Sequence, residues 1–305
     1  MNTKYQLLTI LGATASGKTS VATNAALAFD GEIISGDSRQ VYRGMDLGTG
    51  KDIEEYTIDG VTIPYHLIDI EEAGAEYNVY RFQHDFHEAY ADILARGKFP
   101  ILCGGSGMYL ESVLNGYALS HVPKHEELRE QLRAKSLEEL GEILRSYKTV
   151  HNNSDLETKR RAIRAIEIEA FMQEHPNAEE RKPDISSLVV GVQFDRETRR
   201  KRISTRLQQR LDEGMVDEVR ALLDYGVKPE QLIYYGLEYK YLTQHIIGEL
   251  SFDEMHRQLE IAIHQFAKRQ MTWFRRMEKH STRIHWLNGE MPMDEKMEWI
   301  GELMK

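Results

Sequence analysis

The stretch Tyr5-Gln6-Leu7-Leu8-Thr9-Ile10-Leu11-Gly12-Ala13-Thr14-Ala15-Ser16-Gly17-Lys18-Thr19 decides the fold. Tyr5 to Leu11 is an apolar, strand-favouring run, and Thr19 to Phe29 continues in helix formers, so strand, glycine loop and helix follow in order. Gly12 to Thr19 matches G-x-x-x-x-G-K-[ST] in the strand-to-helix context that the pattern needs. Glycines let backbone N–H groups wrap phosphate oxygens, and a helix N-terminus adds positive potential. Lys18 supplies a mobile cation, and the Thr19 hydroxyl can ligate Mg²⁺. The loop implies a di- or triphosphate ligand without saying which, because ATPases, small-molecule kinases and transferases of other diphosphates share the device.

Outward from this stretch, Glu32 to Ser35, Tyr65 to Ile70 and Phe99 to Cys103 read as further strands, and Tyr80 to Ala95 as a helix ending at Arg96-Gly97. Alternating strands and helices predict an α/β fold, a mainly parallel sheet with helices on both faces. From about Ser120 the texture becomes charged helix: Glu126 to Lys135, Leu137 to Lys148 and Asp155 to Glu174. Strand character returns at Leu188 to Phe194, followed by helices over Glu197 to Glu213, Val216 to Tyr225 and Phe252 to Lys279, and a late strand at Arg283 to Leu287. The expectation is a catalytic core of residues 1–117 and 187–305 interrupted by an all-helical insertion of residues 118–186.

Across 305 residues the formal charge is −10, which argues against a protein that coats nucleic acid through a large positive field. Any RNA contact must come from local basic clusters: Lys159 to Arg164, Arg196 to Arg206 and Lys268 to Arg276. One cysteine, Cys103, excludes a disulfide framework and a cysteine-rich zinc site, fits a reducing cytoplasm, and sits at a strand end as core. No apolar run is long enough to span a bilayer, so no membrane partner is expected.

An ATPase should show an apolar strand ending in an acidic residue that supports Mg²⁺. Here His66-Leu67-Ile68-Asp69 is short, and Phe99 to Cys103 runs into Gly104-Gly105 instead. Asp37, following the second strand, should lie at the carboxyl edge of the sheet beside the phosphate loop, as a turn or capping Asp or as a working carboxylate.

The segment Asp37-Ser38-Arg39-Gln40-Val41-Tyr42-Arg43-Gly44-Met45-Asp46-Leu47-Gly48-Thr49-Gly50-Lys51 strongly resembles the one that follows the phosphate loop in tRNA dimethylallyltransferases. Gly104-Gly105-Ser106-Gly107-Met108-Tyr109-Leu110 is similar to that family's second glycine-rich motif, and Ala267-Lys268-Arg269-Gln270-Met271-Thr272-Trp273-Phe274 to its C-terminal signature. The matches are in order and reach from Leu11 to Leu287. The resemblance implies a P-loop NTPase-like core and transfer of a dimethylallyl group from dimethylallyl diphosphate to N6 of the adenosine 3′ of the anticodon. The tRNAs would be those reading codons that begin with U, in a cytoplasmic, monomeric enzyme using Mg²⁺ at Thr19.

By the same resemblance the catalytic residues are Asp37, the general base, Ser106, where the family usually has Thr and whose hydroxyl can still hydrogen-bond substrate, and Thr19, the Mg²⁺ ligand. Gly12, Thr14, Ala15, Ser16, Gly17, Lys18, Thr19 and Arg202 bind diphosphate. Asp37, Ser38, Arg39, Gln40 and Ser106 meet the target base, while Arg129, Arg161, Arg164, Lys268, Arg269 and Trp273 reach the anticodon stem and loop. The chain departs from the family at Glu238 within Leu237-Glu238-Tyr239-Lys240 and at Ile263-His264, and the insertion's arginine motif has shifted spacing. Two other enzymes share the loop and Asp37, an isopentenyltransferase acting on free adenine nucleotide and a nucleotide kinase; an RNA-binding module with a vestigial loop is a third reading. His66 and Trp286 read as structural.

Overall fold

The computed structural model describes residues 3–149, 154–176, 178, 184–280 and 282–305. Its centre is a six-stranded, wholly parallel sheet built from β1 (Leu7–Gly12), β2 (Gly31–Ser35), β5 (Tyr65–His66), β6 (Phe99–Gly104), β7 (Ser187–Gln193) and β8 (Ile284–Asn288). The order across the sheet is β5-β2-β6-β1-β7-β8; β3 (Thr57–Ile58) and β4 (Val61–Thr62) form a small antiparallel pair apart from it. This is the phosphate-loop NTPase-like arrangement expected of the sequence. β1 is buried along its whole length, which is why it reads as an unbroken apolar run.

Side chains alternate across the sheet. Leu7, Leu11, Ile34 and Leu102 join one core, with residues of α2 (Val79–Ala95), α3 (Gly107–Leu114), α7 (Arg196–Asp212), α8 (Met215–Asp224), α9 (Pro229–Tyr234), α10 (Leu237–Ile246) and α11 (Phe252–Lys279). Leu8, Ile10, Ile33 and Ile101 join the other, with α1 (Lys18–Phe29) and α12 (Met293–Met304). At 28 residues, α11 runs about 42 Å. Ser251 caps its first turn, which carries Asp253 and Glu254, and Arg276 and Lys279 sit in its last, charges that suit the helix dipole at each end. Among the described residues no helix is long and apolar enough to cross a membrane.

Tyr65 to Ile70 forms only the two-residue β5, because the backbone turns left-handed at Leu67 and again at Asp69. The Asp69 carboxylate is drawn instead to the buried ammonium of Lys51, which also donates to Asp46 at 2.6 Å and to the Tyr42 carbonyl at 2.7 Å. That cluster pins the segment between β2 and α2. His66 is structural, 2.7 Å from the Glu32 carboxylate that Arg96 also holds. Trp286 likewise donates to Glu278 at 3.0 Å.

The chain divides into two compact units, Met1–Gly116 with Asp184–Lys305, and Tyr117–Pro183. The second is helical: α4 (Glu126–Arg133), α5 (Leu137–Tyr147), begun by a Ser136/Glu139 capping box, and α6 (Lys159–Glu174), capped by Thr158. The helix anticipated from Asp155 is a short 3-10 turn, Ser154–Leu156, before α6. Leu132, Leu140, Leu144, Ala162, Ala165 and Ile166 form a core of its own.

This unit has a buried acid at its middle. Glu167 accepts from Arg129 Nε at 2.8 Å, from the His125 amide at 2.7 Å and from Arg164. Burial pushes its carboxyl up, but Arg129, the His125 amide and Arg164 outweigh that and hold it down to about 2. A carboxyl depressed by folding contributes stability that is fully present above the unfolded value, about 4.3. That contribution, about 3 kcal/mol here, is lost as the pH falls toward the folded value. Hydrogen exchange of the α6 amides should therefore show opening that grows steeply between about pH 4 and pH 2. Glu167→Gln should open the unit already at pH 7 and flatten that pH dependence; an unchanged profile would remove Glu167 from the account.

Candidate active site

Three loops leave the carboxyl ends of β1, β2 and β6, and they are neighbours because β6 lies between β1 and β2. A ligand crevice is expected at that edge of an open α/β sheet. The phosphate loop after β1 turns into α1 at Gly17. Arg202, on α7, donates from Nε to the Ala15 carbonyl at 2.9 Å and lies 4.5 Å over the Phe194 ring, so its position is fixed against the loop. Ser16 Oγ is buried among the loop atoms without a hydrogen-bond partner.

The loops after β2 and β6 touch closely. The Gly36 amide donates to the Cys103 carbonyl at 2.7 Å, and a Cβ at Gly104 would overlap the Gly36 backbone, so only glycine fits there. The Ser38 amide donates to Ser106 Oγ at 3.1 Å. Asp37 Oδ1 accepts from the Arg39 amide at 2.9 Å, an Asx turn that fixes the half-buried carboxylate at the sheet edge. The reading of Asp37 as a turn residue is met by this contact, which uses Oδ1 alone. Burial pushes the Cys103 thiol up to about 12, as expected of core rather than of a nucleophile.

Gln270, not singled out in the C-terminal signature, ties these loops together. Its Oε1 accepts from the Thr14 amide at 2.9 Å, its Nε2 donates to the Gly105 carbonyl at 2.9 Å, and the side chain is buried. One amide on α11 therefore sets the spacing between the phosphate loop and the second glycine motif. Glu218 does similar work farther out, accepting from the amides of Asp46 at 2.9 Å, Leu47 at 2.7 Å and Gly48 at 3.1 Å.

A cavity of about 510 Å³ opens on the phosphate loop, lined by Ala15 to Thr19, by Arg202, Arg206 and Arg210 of α7, and by Asp52 and Glu55. A second pocket, of about 20 Å³, lies between Thr14, Ala15, Arg206, Arg210, Ile263 and Glu238. Withdrawal from water pushes the Glu238 carboxyl up. Two positions at which the sequence departs from its family, Glu238 and Ile263, therefore line one wall beside the loop, whereas His264 faces Ser204 and Glu260.

Several residues expected at RNA have intramolecular partners. Gln40 is buried, with Oε1 accepting from Ser35 at 2.9 Å and Nε2 donating to the Gly50 carbonyl at 2.9 Å, so its amide braces the turn instead of being presented to a base. Arg129 and Arg164 hold Glu167, as described, and are themselves only partly buried. Arg161 is exposed and pairs with Glu157. Trp273 is half-buried, packed so tightly on Gly107 that a Cβ there would overlap the indole, with Arg276 4.0 Å over the ring. Lys268 and Arg269 are exposed on α11, and Arg39 lies 5.6 Å over the exposed Tyr234 ring.

Residues 40–277 match the family model for IPP transferase. The chain is 62% identical to tRNA dimethylallyltransferase 1 of Parabacteroides distasonis, over 96% of this chain and 95% of that one. It is 60% identical to tRNA dimethylallyltransferase 2 of Phocaeicola vulgatus, over 99% and 98%. The crystal structure of the full-length tRNA isopentenylpyrophosphate transferase from Bacillus halodurans superposes with a TM-score of 0.71 at 30% identity, covering 98% of this chain and 95% of that one. With the phosphate loop, the Asp37 turn and the Ser106 motif drawn together at one sheet edge, these likenesses make the chain a member of the IPP transferase family.

Proposed function

We propose that this protein is a tRNA dimethylallyltransferase, moving the dimethylallyl group of dimethylallyl diphosphate to N6 of the adenosine 3′ of the anticodon in tRNAs reading codons that begin with U. The observation that carries the reading is the Asp37 carboxylate and Ser106 hydroxyl on adjoining loops, with Gln270 holding the second of these loops to the phosphate loop. It agrees with the names of relatives 52–62% identical to the chain.

An aromatic amine is a weak nucleophile because its lone pair is delocalised into the ring. Asp37 takes the N6 proton as N6 attacks C1 of the donor; the N6–C1 bond forms and the C1–O bond breaks, its electron pair leaving with diphosphate. Negative charge then grows on the departing oxygens, and donors already in place stabilise it. The loop amides, Lys18 and Arg202 are those donors, and the guanidinium fork of Arg202 suits two phosphate oxygens. Ser106 orients the target base. The Thr19 hydroxyl lines the cavity beside Lys18 and is the group of the loop that would hold Mg²⁺ there. When bound at Thr19, Mg²⁺ would add positive charge facing the diphosphate.

The adenosine reaches this site extruded from the anticodon loop, where unstacking costs least. Ser38 and Arg39 lie beside it, and Lys268, Arg269 and Trp273 on α11 carry the adjoining loop or stem. Incubation with labelled dimethylallyl diphosphate should put label into unmodified tRNA and none into AMP. Label in AMP but not in tRNA, or phosphate transfer from ATP, would reject the assignment.

A further inference from the structure

Arg206 and Arg210 stand one turn apart on α7, on the wall of the cavity that faces the phosphate loop. Like charges at this spacing repel, and burial together with the charge of Arg210 pushes the Arg206 guanidinium down. Something must hold the two side by side. Asp52 accepts from Nη2 of Arg206 with one carboxylate oxygen and from Nη2 of Arg210, at 2.9 Å, with the other. It does so from a left-handed backbone conformation, φ 42 and ψ 55, which a side chain other than glycine seldom adopts. Burial alone would raise the Asp52 carboxyl, yet the two guanidiniums outweigh it and keep it below the usual range.

The turn before Asp52 is fitted to the same pair. A Cβ at Gly50, φ +67, would run into Nη2 of Arg210 and lie 2.9 Å from Nη2 of Arg206. The Gly50 carbonyl in turn accepts from Gln40, whose other end is fixed by Ser35 of β2. A continuous chain of contacts therefore runs from the strand that precedes Asp37 to the two arginines. Asp52 occupies the Nη2 of each guanidinium, and both arginines line the cavity beside the phosphate loop.

We propose that Asp52 is a positioning residue of the diphosphate site, holding Arg206 and Arg210 as a preformed pair that grips the diphosphate opposite Lys18 and Arg202. The proposal rests on the diphosphate-donor reading given above. Asp52 does not touch the donor; it fixes two side chains that do. Its net charge makes the proposal testable by sign. If Asp52 only offset surplus positive charge, removing its carboxylate would strengthen anion binding; if it positions the pair, removal weakens it.

The experiment measures binding of inorganic diphosphate to the full chain by calorimetry, and in parallel KM for dimethylallyl diphosphate. Asp52→Asn should weaken diphosphate binding by about 10-fold or more, the loss expected for charge-assisted hydrogen bonds. KM for the donor should rise by a similar factor, more than kcat falls, and KM for tRNA should stay within about twofold. Asp52→Glu should recover part of the loss. Diphosphate binding that is tighter or unchanged in Asp52→Asn overturns the proposal, provided circular dichroism shows a folded chain. Should Asp52→Asn not fold, Arg210→Met decides: a weakening of diphosphate binding by about 10-fold supports the paired grip, and unchanged binding overturns it. Diphosphate binding by an unmodified chain that transfers no label would reject the prenyl-transfer reading while leaving the test of Asp52 intact.

Discussion

Asp37→Ala should lower single-turnover transfer by about 10²- to 10⁴-fold, the range expected when a general base is removed, while tRNA affinity changes by less than about fivefold. The two effects separate because the proposed base also has a structural job. One oxygen accepts from the Arg39 amide at 2.9 Å and shapes the turn; proton removal from N6 needs a basic carboxylate. Asp37→Asn keeps an acceptor for the Arg39 amide but has no useful basicity, so it should lose as much turnover as alanine and less of the local order. Rapid-quench transfer assays and filter binding of tRNA distinguish the cases. Comparable losses of turnover and of tRNA binding would reassign Asp37 to recognition.

Gln270→Leu should cost about 10² in turnover, although residue 270 need not meet either substrate. Leucine is close in volume, but it leaves the Thr14 amide without Oε1 and the Gly105 carbonyl without Nε2 at a buried position. Each orphaned group costs about 1–3 kcal/mol unless the loops move apart to admit water. A shift of about 1 Å between the phosphate loop and the Ser106 loop is enough for a 10²-fold loss. Gln270→Glu is a sharper control. It keeps an acceptor for Thr14 but sets a carboxylate oxygen against the Gly105 carbonyl, so it should lose turnover as well. Thermal unfolding of both variants separates this from collapse of the fold: a melting temperature only a few degrees lower, with turnover down about 10², supports the positioning role. Unaltered turnover in Gln270→Leu would show that the two loops keep their spacing without it.

The strands and the phosphate loop were legible because their local sequence suffices. Buried parallel strands such as β1 and β6 must be apolar on both faces, and the glycine-lysine pattern describes a backbone shape. What escaped depends on contacts distant in sequence. Thr14 and Gln270 are 256 residues apart, and no local pattern says that the glutamine of a helix will reach back to a loop amide. Nothing local marks Asp52, whose partners Arg206 and Arg210 arrive 154 and 158 residues later. The helices α9 and α10 were missed for another reason: the first is only six residues long, and the second follows Gly236, which offers no side-chain cap to mark it. In the helical unit, Arg164 has Glu167 three residues on along the same face, and that spacing was the available sign of the ion pair between them.

One consequence of the sheet edge concerns the sulfhydryl group. The chain has a single cysteine, and Cys103 lies at the end of the strand between the phosphate loop and the Asp37 turn. Its thiol is buried and its ionisation is pushed up to about 12, so in the closed fold it is sheltered from alkylating reagents both sterically and chemically. Any labelling of this protein by a thiol reagent therefore counts the moments when the sheet edge under the site comes apart. The rate of that labelling is a built-in clock for breathing of the site, readable by mass spectrometry on the unaltered chain and slowed by whatever ligand fastens the loops.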